Sequence, residues 1–273
     1  MNAAAGELRS ALHQLAVDRT RRPLLVALDF DGTLAPLQDD PATSRMLPDA
    51  ATALAEVGDV PATGIHLALV SGRRLGDLHA LASPLPVGTL LVGSHGAERG
   101  LVGADGALVL DETEGAGDAE AHARARATHL ADRLDAANAD RDGVWVERKP
   151  YNVVVHTRLA DPAASETAAH EALAVGAAEG VKVVVGKDVV ELGLVSTDKG
   201  EALEQLRETL GAAAVLYAGD DRTDEDAFAA LDGGDVAIKV GPGETVAPLR
   251  AADPSSFCAE LLVFVREAVA VAG

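Results

Sequence analysis

The chain has 273 residues, enough for one large domain or two modest ones. Hydrophobic residues make up 48% of it and charged residues 24%, a balance that is typical of globular proteins and excludes a disordered chain. The net charge of −20 and the aromatic content of 3% argue against nucleic-acid or anionic-membrane partners, because phosphates would be repelled and stacking rings are few. An anionic ligand would therefore need local positive charge or a metal.

Residues 1–22 predict an amphipathic helix rather than a signal peptide, because charged side chains interrupt the apolar segment that a signal would need. No run approaches the roughly 18 apolar residues of a membrane span. The single cysteine, Cys258, is compatible with a reducing compartment. These features predict a cytoplasmic protein without a membrane partner, and no obligate protein partner is evident.

Five apolar runs predict strands that are buried on both faces of a parallel sheet: residues 24–28, 66–70, 89–92, 213–218 and 236–240. Helical patterns occur between and after them, at 49–57, 199–210 and 257–269. This alternation of strand and helix predicts a doubly wound α/β core with right-handed crossovers.

The middle of the chain has a different pattern. A long polar helix and two strands are followed by a second helix and a hairpin, at 119–138, 144–149, 152–158, 162–179 and 181–192. A helix–strand–strand unit that occurs twice indicates an α+β module inserted in the α/β core. We therefore predict a core formed by residues 1–99 and 193–273, and an inserted domain at 100–192.

Three of the predicted parallel strands end in polar residues. Asp29 and Asp31 follow the first strand, Ser71 and Gly72 follow the second, and Asp220 follows the strand at 213–218. The ligand crevice of an open α/β sheet lies at the carboxyl ends of its strands, so we expect these groups to converge. The side chains of Asp29 and Asp220 and the backbone carbonyl of Asp31 are hard oxygen ligands of the kind that Mg²⁺ prefers.

The first two strand ends also have purely structural explanations. Asp31-Gly32 is a common turn pair, and Ser71 could cap the helix that follows it. The functional alternative for Ser71 and Gly72 is a hydroxyl and an amide that donate hydrogen bonds to an oxyanion.

The acidic segment at 220–226 has a structural explanation as well, because Thr223 and Asp226 fit a variant of the capping box. Capping accounts for Glu225 and Asp226, yet it does not account for Asp220, which precedes the cap. Lys199, at the start of its predicted helix, is on its own a surface lysine. The helix dipole disfavours a cation at that end, so Lys199 indicates an anionic partner.

Taken together, these segments resemble the motifs of the haloacid dehalogenase (HAD) superfamily of phosphotransferases. The segment 29–33 is similar to its nucleophile motif, Ser71 to the second motif, Lys199 to the third and the segment 219–221 to the acidic fourth. The resemblance implies a HAD-like, Rossmannoid core with an inserted α+β cap that determines the substrate. It also implies that Asp29 is the nucleophile and that Asp31 is the general acid and base. It implies that the phosphate ligands are Ser71, Gly72 and Lys199, and that the Mg²⁺ ligands are Asp29, Asp31 and Asp220.

The predicted cap has charged residues on otherwise apolar strands. Strand alternation places Glu147 and Lys149 on one face of the first strand, and His156 and Arg158 on one face of the next. The segment 186–191 again combines charged residues with apolar ones. The pattern fits either a solvated sheet face with cross-strand ion pairs or a surface that binds a polyol.

This set resembles the cap of the trehalose-6-phosphate phosphatase family, as do the segments 93–98 and 219–226. The resemblance spans residues 22–265 and implies that five cap side chains contact the sugar: Glu147, Lys149, Arg158, Lys187 and Glu191. It implies that His95 and Glu98 shape the hinge and the cleft edge. Gly193-Leu194 stand where the family usually has Arg-Pro, which bears on the hinge and not on the catalytic set.

The resemblance implies a Mg²⁺-dependent phosphatase of trehalose biosynthesis, which hydrolyses trehalose 6-phosphate through an aspartyl-phosphate. A phosphatase of another small sugar phosphate, such as sucrose phosphate or a glycosyl phosphoglycerate, would carry the same core motifs. A sugar phosphomutase would use the same intermediate. A non-catalytic regulatory domain is disfavoured, since it should lack one of four residues that are all present: Asp29, Asp31, Lys199 and Asp220.

Overall fold

The computed structural model describes residues 3–58, 63–111, 116–149, 151–186, 188–194 and 198–272. The chain forms two compact units, which we call the core unit and the cap unit. The core unit comprises Met1–Asp111 and Thr197–Gly273, and the cap unit comprises Glu112–Ser196.

The described part of the core unit contains an eight-stranded sheet. Its spatial order is β12 (Leu249–Ala251), β11 (Val236–Val240), β10 (Ala214–Gly219), β1 (Leu24–Leu28), β2 (Ile65–Val70), β3 (Leu90–Gly93), β4 (Glu98–Val102) and β5 (Leu108–Leu110). The pairs from β12 to β3 are parallel, whereas β4 and β5 add antiparallel pairs at one edge. Every residue of β1, β10 and β11 is buried, as expected for strands covered on both faces.

Helices cover both faces of this sheet. They are α1 (Ala3–Val17), α2 (Pro48–Val57), α3 (Leu75–Ala82), α6 (Lys199–Leu210), α7 (Asp224–Ala230) and α8 (Pro254–Ala272). Alternate residues of β1 enter two apolar clusters: Val26 packs in the one that includes Phe264 of α8, and Ala27 in the one that includes Leu203 of α6. The predicted doubly wound α/β core is confirmed. Among the described helices, none has the length and hydropathy that a bilayer crossing requires.

The cap unit has the predicted α+β composition. In its described residues, a four-stranded antiparallel sheet has the order β6 (Trp145–Arg148), β7 (Asn152–His156), β9 (Val189–Gly193) and β8 (Lys182–Gly186). Its helices are α4 (Ala116–Asn138) and α5 (Pro162–Glu179). Apolar side chains on one sheet face pack with both helices, for example Val155 and Leu192 with Leu134 of α4 and Ala172 of α5. The opposite face carries most of the polar residues of the sheet, whereas Arg148 of β6 faces the helices and pairs with Asp132 and Asp135 of α4.

The bounds of the insertion differ from the predicted 100–192. Residues 98–110 belong to the core sheet, because β4 pairs with β3 and β5 pairs with β4. These edge strands are short and partly exposed, with Leu101, Val109 and Leu110 open to solvent, so their hydropathy gives no strand pattern. The strand predicted at 152–158 ends at His156, and Arg158 lies in the turn that follows.

Asp235 joins α6 to β10, two elements whose ends carry predicted site residues. Its side chain is fully buried and accepts a hydrogen bond from Arg207 of α6 at 2.7 Å. It also accepts from the backbone amides of Val215 in β10, at 2.8 Å, and of Asp232, at 3.1 Å. A buried carboxylate with three donors is well stabilised only while all of them remain.

We predict that Asp235→Asn lowers the free energy of unfolding by about 3 kcal/mol, because Arg207 loses its charged partner in a buried site. Asp232→Asn is the matched control, since the Asp232 side chain is 67% exposed and lies 3.5 Å from the same guanidinium. The control should change stability by less than about 1 kcal/mol. Urea unfolding of both variants measures the difference, and equal losses would contradict the assignment.

Candidate active site

The ends of β1 and β10 bring their polar residues to the same edge of the core sheet. Leu28, the last residue of β1, pairs with Ala218 of β10 and with Leu69 of β2. The amide of Asp29 donates to the carbonyl of Ala218 at 2.9 Å, which extends the β1–β10 pairing by one residue. The Asp29 side chain therefore emerges beside the residues that follow β10.

Three carboxylates meet at this edge. Asp29, Asp220 and Asp224 each offer an oxygen, and these oxygens lie within 4.8 Å of one another. Asp29 is 4% exposed, Asp224 is fully buried, and Asp220 is partly buried. Because Mg²⁺ binds oxygens at about 2.1 Å, its opposite ligands are about 4 Å apart, and the cluster has nearly that size. The sequence patterns predicted that Asp29 and Asp220 meet here, but they indicated no site role for Asp224.

Lys199 is buried among these carboxylates, with 1% of its side chain exposed. Its Nζ donates to Oδ1 of Asp29 at 2.9 Å and to Oδ1 of Asp224 at 2.7 Å. Helix α6 begins at Lys199, and the Asp198 side chain caps it by accepting from the amide of Glu201. The surface position predicted for Lys199 from its place in the sequence alone is therefore wrong, because the side chain is buried. The anionic partners expected for a cation at a helix start are carboxylates of this chain.

Asp224 is held by three donors. Its Oδ1 accepts from Lys199 and from the buried hydroxyl of Tyr217 at 2.7 Å, and its Oδ2 accepts from the amide of Asp221 at 2.9 Å. A Cβ at Gly219 would lie 2.1–2.5 Å from the Asp224 carboxylate, so only glycine allows this approach. Asp224 therefore fixes Lys199 and the segment after β10 at once.

The capping box predicted for Thr223 and Asp226 is absent. Thr223 precedes α7 with helical backbone angles, and its side chain makes no capping hydrogen bond. Instead, Oδ1 of Asp221 accepts from the hydroxyl and amide of Thr223 and from the amide of Asp224. Asp221, which lies before the helix, therefore forms the turn, because its side chain accepts the hydrogen bonds of the amides at the start of α7.

Several carboxylates lie close together in this buried site, and the pKa values of its ionisable groups are shifted. Burial raises the pKa of the Asp29 carboxyl well above its ordinary range, although the Lys199 charge opposes the shift. Burial, with the charges of Asp221 and Asp224, raises the pKa of Asp220 to about 6. Burial lowers the pKa of Lys199, but the surrounding carboxylates outweigh it and raise the pKa above its ordinary value. A bound cation would relieve this crowding.

Asp220 lies directly against Gly32 and is held by a second buried lysine. A Cβ at Gly32, which has φ of +73°, would lie 2.0 Å from Oδ2 of Asp220. The Nζ of Lys239 donates to the backbone carbonyls of Asp220 at 2.6 Å and of Asp221 at 3.2 Å. Within the described residues, the Asp220 carboxylate accepts no hydrogen bond, which leaves its oxygens for a ligand.

The Asp31 carboxylate has different partners. Both of its oxygens accept from the guanidinium of Arg73, with Nη2 at 2.7 Å from Oδ1, and the Ser44 hydroxyl donates to Oδ1 at 2.9 Å. Its side chain is 28% exposed. The contacts of Arg73 and Ser44 with Asp31 were not predicted from the sequence. The one available signal was that Arg73 directly follows Ser71-Gly72.

Ser71 and Gly72 form a tight turn after β2. Ser71 is 2% exposed, and its Oγ accepts from the amide of Arg73 at 3.2 Å, so its own proton remains available to a ligand. A Cβ at Gly72 would lie 2.5 Å from the ring of His95, whose φ is +57°. His95 thus lies against the turn that carries the predicted phosphate ligands.

Glu98 supports the same region from β4. Its Oε2 accepts from the amide of Leu75, the first residue of α3, at 2.9 Å, and from the hydroxyl of Ser94 at 2.8 Å. Glu98 therefore caps the helix that follows the Ser71 turn. This contact lies within the core unit, and the predicted place of Glu98 at the cleft edge did not include it.

In the cap unit, Glu147 and Glu191 lie on the sheet face opposite the helices. The register aligns Glu147 with Val154 and Val154 with Glu191, so the two glutamates are two strand spacings apart, about 9.6 Å between Cα atoms. Glu147 is exposed and Glu191 is half-buried. The two glutamates thus lie in one row across this face, with the buried Val154 between them.

Each of these carboxylates has a partner on the same face. His156 Nε2 lies 2.9 Å from Oε2 of Glu147, and the side-chain Nδ2 of Asn152 donates to Oε1 of Glu191 at 2.7 Å. Trp145 stacks on His156 with ring centroids 4.6 Å apart, and it is 42% exposed. One oxygen of each carboxylate is therefore fixed, and an aromatic ring adjoins Glu147.

The other predicted cap residues are less ordered by contacts. Lys149 follows β6 and is exposed. Arg158 is also exposed. Because β6 ends at Arg148 and β7 ends at His156, strand alternation does not place Lys149 on one face with Glu147, or Arg158 on one face with His156, as predicted. Lys187 lies outside the described residues.

The chain is similar to several known proteins. The sequence model of a family described as trehalose-phosphatase matches residues 27–253. A trehalose-phosphate phosphatase of Mycolicibacterium paratuberculosis is 36% identical over 217 residues, which are 77% of this chain and 52% of that protein. An uncharacterized glycosyl hydrolase of Mycobacterium tuberculosis is 36% identical over 273 residues, which cover 91% of this chain and 19% of that protein. The chain thus spans about half, or less, of the length of these relatives.

Among solved structures, the C-terminal domain of a trehalose-6-phosphate phosphatase from Candida albicans superposes with a TM-score of 0.70 and 22% identity, covering 94% of this chain and 97% of that one. At this identity the match supports the fold alone. A haloacid dehalogenase-like hydrolase from B. subtilis superposes with a TM-score of 0.54. The fold is therefore HAD-like, and the chain belongs to the trehalose-phosphatase family, as its sequence resemblance implied.

Proposed function

We propose that the chain hydrolyses trehalose 6-phosphate to trehalose and inorganic phosphate. The observation that carries the proposal is the buried Asp29 carboxylate at the end of β1, 2.9 Å from Lys199 and within 4.8 Å of two further carboxylates. A carboxylate held beside a buried cation suits nucleophilic attack on a phosphate monoester. Family membership supports trehalose 6-phosphate as the ester.

The donor set of the site fits a magnesium ion. The carboxylates of Asp29, Asp220 and Asp224 are hard oxygen donors. Burial, together with the charges of Asp221 and Asp224, raises the pKa of Asp220 to about 6, and a bound cation would oppose that shift. The backbone carbonyl of Asp31 is a further candidate ligand. When bound, Mg²⁺ would offset the repulsion between the Asp29 carboxylate and the phosphate dianion.

The reaction then needs two steps from residues of this chain. Asp29 attacks phosphorus in line, an aspartyl-phosphate forms, and the ester P–O bond breaks as Asp31 gives a proton to the leaving sugar oxygen. Asp31 next takes a proton from a water molecule that attacks the aspartyl-phosphate, which releases phosphate and restores Asp29.

Three core residues suit the binding of the phosphate group. Lys199 uses two of its three N–H donors on Asp29 and Asp224, which leaves one for a phosphate oxygen. The Ser71 hydroxyl and the Gly72 amide at the adjacent strand end would bind further oxygens.

In the cap unit, Glu147 and Glu191 would accept hydrogen bonds from sugar hydroxyls with their free oxygens, because His156 and Asn152 already fix the other two. Lys149, Arg158 and Lys187 are the cations proposed to join them. The cytoplasmic location and the lack of nucleic-acid, membrane and obligate protein partners stay predictions from the sequence.

The decisive experiment measures phosphate release from trehalose, sucrose, glucose and mannosylglycerate phosphates, with Mg²⁺ and with EDTA. We expect trehalose 6-phosphate to have the highest kcat/KM, and EDTA to abolish its hydrolysis. Asp29→Asn should lower that rate by at least about 1,000-fold while the thermal unfolding transition is retained. A preference for another sugar phosphate would overturn the substrate, and conversion to an isomeric sugar phosphate without phosphate release would identify a mutase.

A second prediction concerns the metal. Gly32→Ala should raise the Mg²⁺ concentration needed for half-maximal activity by at least about tenfold, because its Cβ would displace the Asp220 carboxylate. Gly88→Ala is the matched control: Gly88 has φ of +82° and open space around its Cβ position. Both variants carry the 1–2 kcal/mol strain that a left-handed residue typically costs. The same Mg²⁺ requirement in both would disprove the role assigned to Asp220.

A third prediction concerns the cap glutamates. Glu147→Gln and Glu191→Gln should each raise KM for trehalose 6-phosphate by about tenfold or more, because a charged acceptor is lost, and leave p-nitrophenyl phosphate unaffected. Glu166→Gln, an exposed residue of α5, is the control. Trp145 is the single tryptophan of the chain and adjoins Glu147 through His156, so its emission measures sugar binding separately. Equal losses on both substrates would indicate a structural role.

A further inference from the structure

Arg73 lies near the site and has no role in the proposed reaction, yet its side chain makes four hydrogen bonds. Its Nε and Nη2 donate to the two oxygens of Asp31, and Nη2 also lies 2.8 Å from the carbonyl of Pro41 and 3.0 Å from the Ser44 hydroxyl. Its guanidinium carbon lies 5.7 Å from the centre of the Phe30 ring. The side chain is 14% exposed, so packing and hydrogen bonds hold it in one orientation.

The backbone of the Asp31 turn does not depend on this pair. The amides of Leu34 and Ala35 donate to the carbonyl of Phe30 at 3.0 and 2.9 Å, and the amide of Gly32 donates to the carbonyl of Ala35 at 2.7 Å. Phe30, Leu34 and Ala35 are also fully buried. Since backbone hydrogen bonds and apolar burial close the turn, the contact of Arg73 orients the carboxyl group rather than the chain. A partly exposed ion pair adds little to stability in any case.

We infer that Arg73, assisted by Ser44, is the positioning residue that aims the Asp31 carboxyl at the leaving group. The inference rests on the proposed function, because it concerns the proton that Asp31 gives to the sugar oxygen. A guanidinium that binds both oxygens of a carboxylate fixes its plane as well as its position. Proton transfer depends on that geometry, and a misplaced acid loses much of its effect.

The surroundings of Arg73 allow Asp31 to give up one contact during the reaction. A carboxyl that protonates the leaving oxygen cannot keep both of its oxygens on the guanidinium. The carbonyl of Pro41 and the hydroxyl of Ser44 already accept from Nη2, the atom that binds Oδ1 of Asp31, so Nη2 stays hydrogen-bonded when Oδ1 departs while Nε keeps Oδ2. After the proton has moved to the sugar oxygen, Asp31 is a carboxylate again and the two-point contact re-forms.

The test compares two leaving groups. Sugar oxygen leaves as a poor alkoxide that needs the proton, whereas p-nitrophenolate leaves without one. In Arg73→Gln we expect kcat/KM for trehalose 6-phosphate to fall by about 30-fold or more, and kcat/KM for p-nitrophenyl phosphate to fall by less than about threefold. Arg73→Lys, which keeps the charge and loses the fork, should recover only part of the loss. Because kcat/KM reports the first phosphoryl transfer, the shared second step does not obscure the comparison.

A double-mutant cycle separates positioning from a structural role. In an Asp31→Asn background, Arg73→Gln should change kcat/KM for trehalose 6-phosphate by less than about twofold, since there is no acid left to aim. Additive effects, or equal losses on the two substrates, would overturn the inference. Should Arg73→Gln fail to fold, Ser44→Ala removes only the hydroxyl at 2.9 Å and must show the same selectivity on a smaller scale.

The outcomes also distinguish this inference from the proposed function. Native protein that hydrolyses a different alkyl phosphate, and not trehalose 6-phosphate, refutes the substrate, and the Arg73 comparison is then made with that alkyl ester. Native protein without any phosphatase activity overturns both proposals. Full trehalose 6-phosphate activity with no leaving-group selectivity in Arg73→Gln overturns the inference alone.

Discussion

The burial of Lys199 between Asp29 and Asp224 is the interaction on which the rest of the site depends. An ammonium group removed from water is stable only when it is paired and hydrogen-bonded, and here two carboxylates contact it within 3.0 Å. The neighbouring elements are arranged to make that possible. Asp198 caps α6 so that Lys199 begins the helix, and the Tyr217 hydroxyl shares Oδ1 of Asp224. In a chain with a net charge of −20, Lys199 is a local positive charge of the kind that the proposed phosphate ester would need.

The same crowding explains why glycine occupies two positions around the cluster. At Gly219 and Gly32, a Cβ would lie within 2.6 Å of the carboxylates of Asp224 and Asp220 respectively. The backbone is therefore part of the site wall, since a side chain there would displace a carboxylate. Lys239 also stabilises this wall of the site. It donates to the backbone carbonyls of Asp220 and Asp221 and so fixes the segment that carries Asp220.

Sequence patterns predicted the parts of this structure that depend on continuous burial or on strand ends. The apolar run at 24–28 predicted a central strand because both of its faces are buried, and polar residues after parallel strands must meet at one edge. Edge strand β5 was missed because half-exposed residues carry no such pattern. The role of Asp224 was missed because an acid in the first turn of a helix is ordinary, and only the fold shows Lys199 beside it. Arg73 was missed because its partner, Asp31, is 42 residues away in sequence.

The two aspartates at the end of β1 are two residues apart, yet their environments are opposite. Asp29 is 4% exposed beside a buried lysine, whereas Asp31 is 28% exposed against an arginine and a serine. A nucleophile gains from exclusion of water, because its charge is then directed at phosphorus rather than solvated. An acid that must reach a leaving oxygen and later a water molecule needs the reverse, with access on one side and a fixed orientation on the other. The backbone of the turn provides both environments within three residues, and these environments suit the nucleophile and acid roles proposed for Asp29 and Asp31.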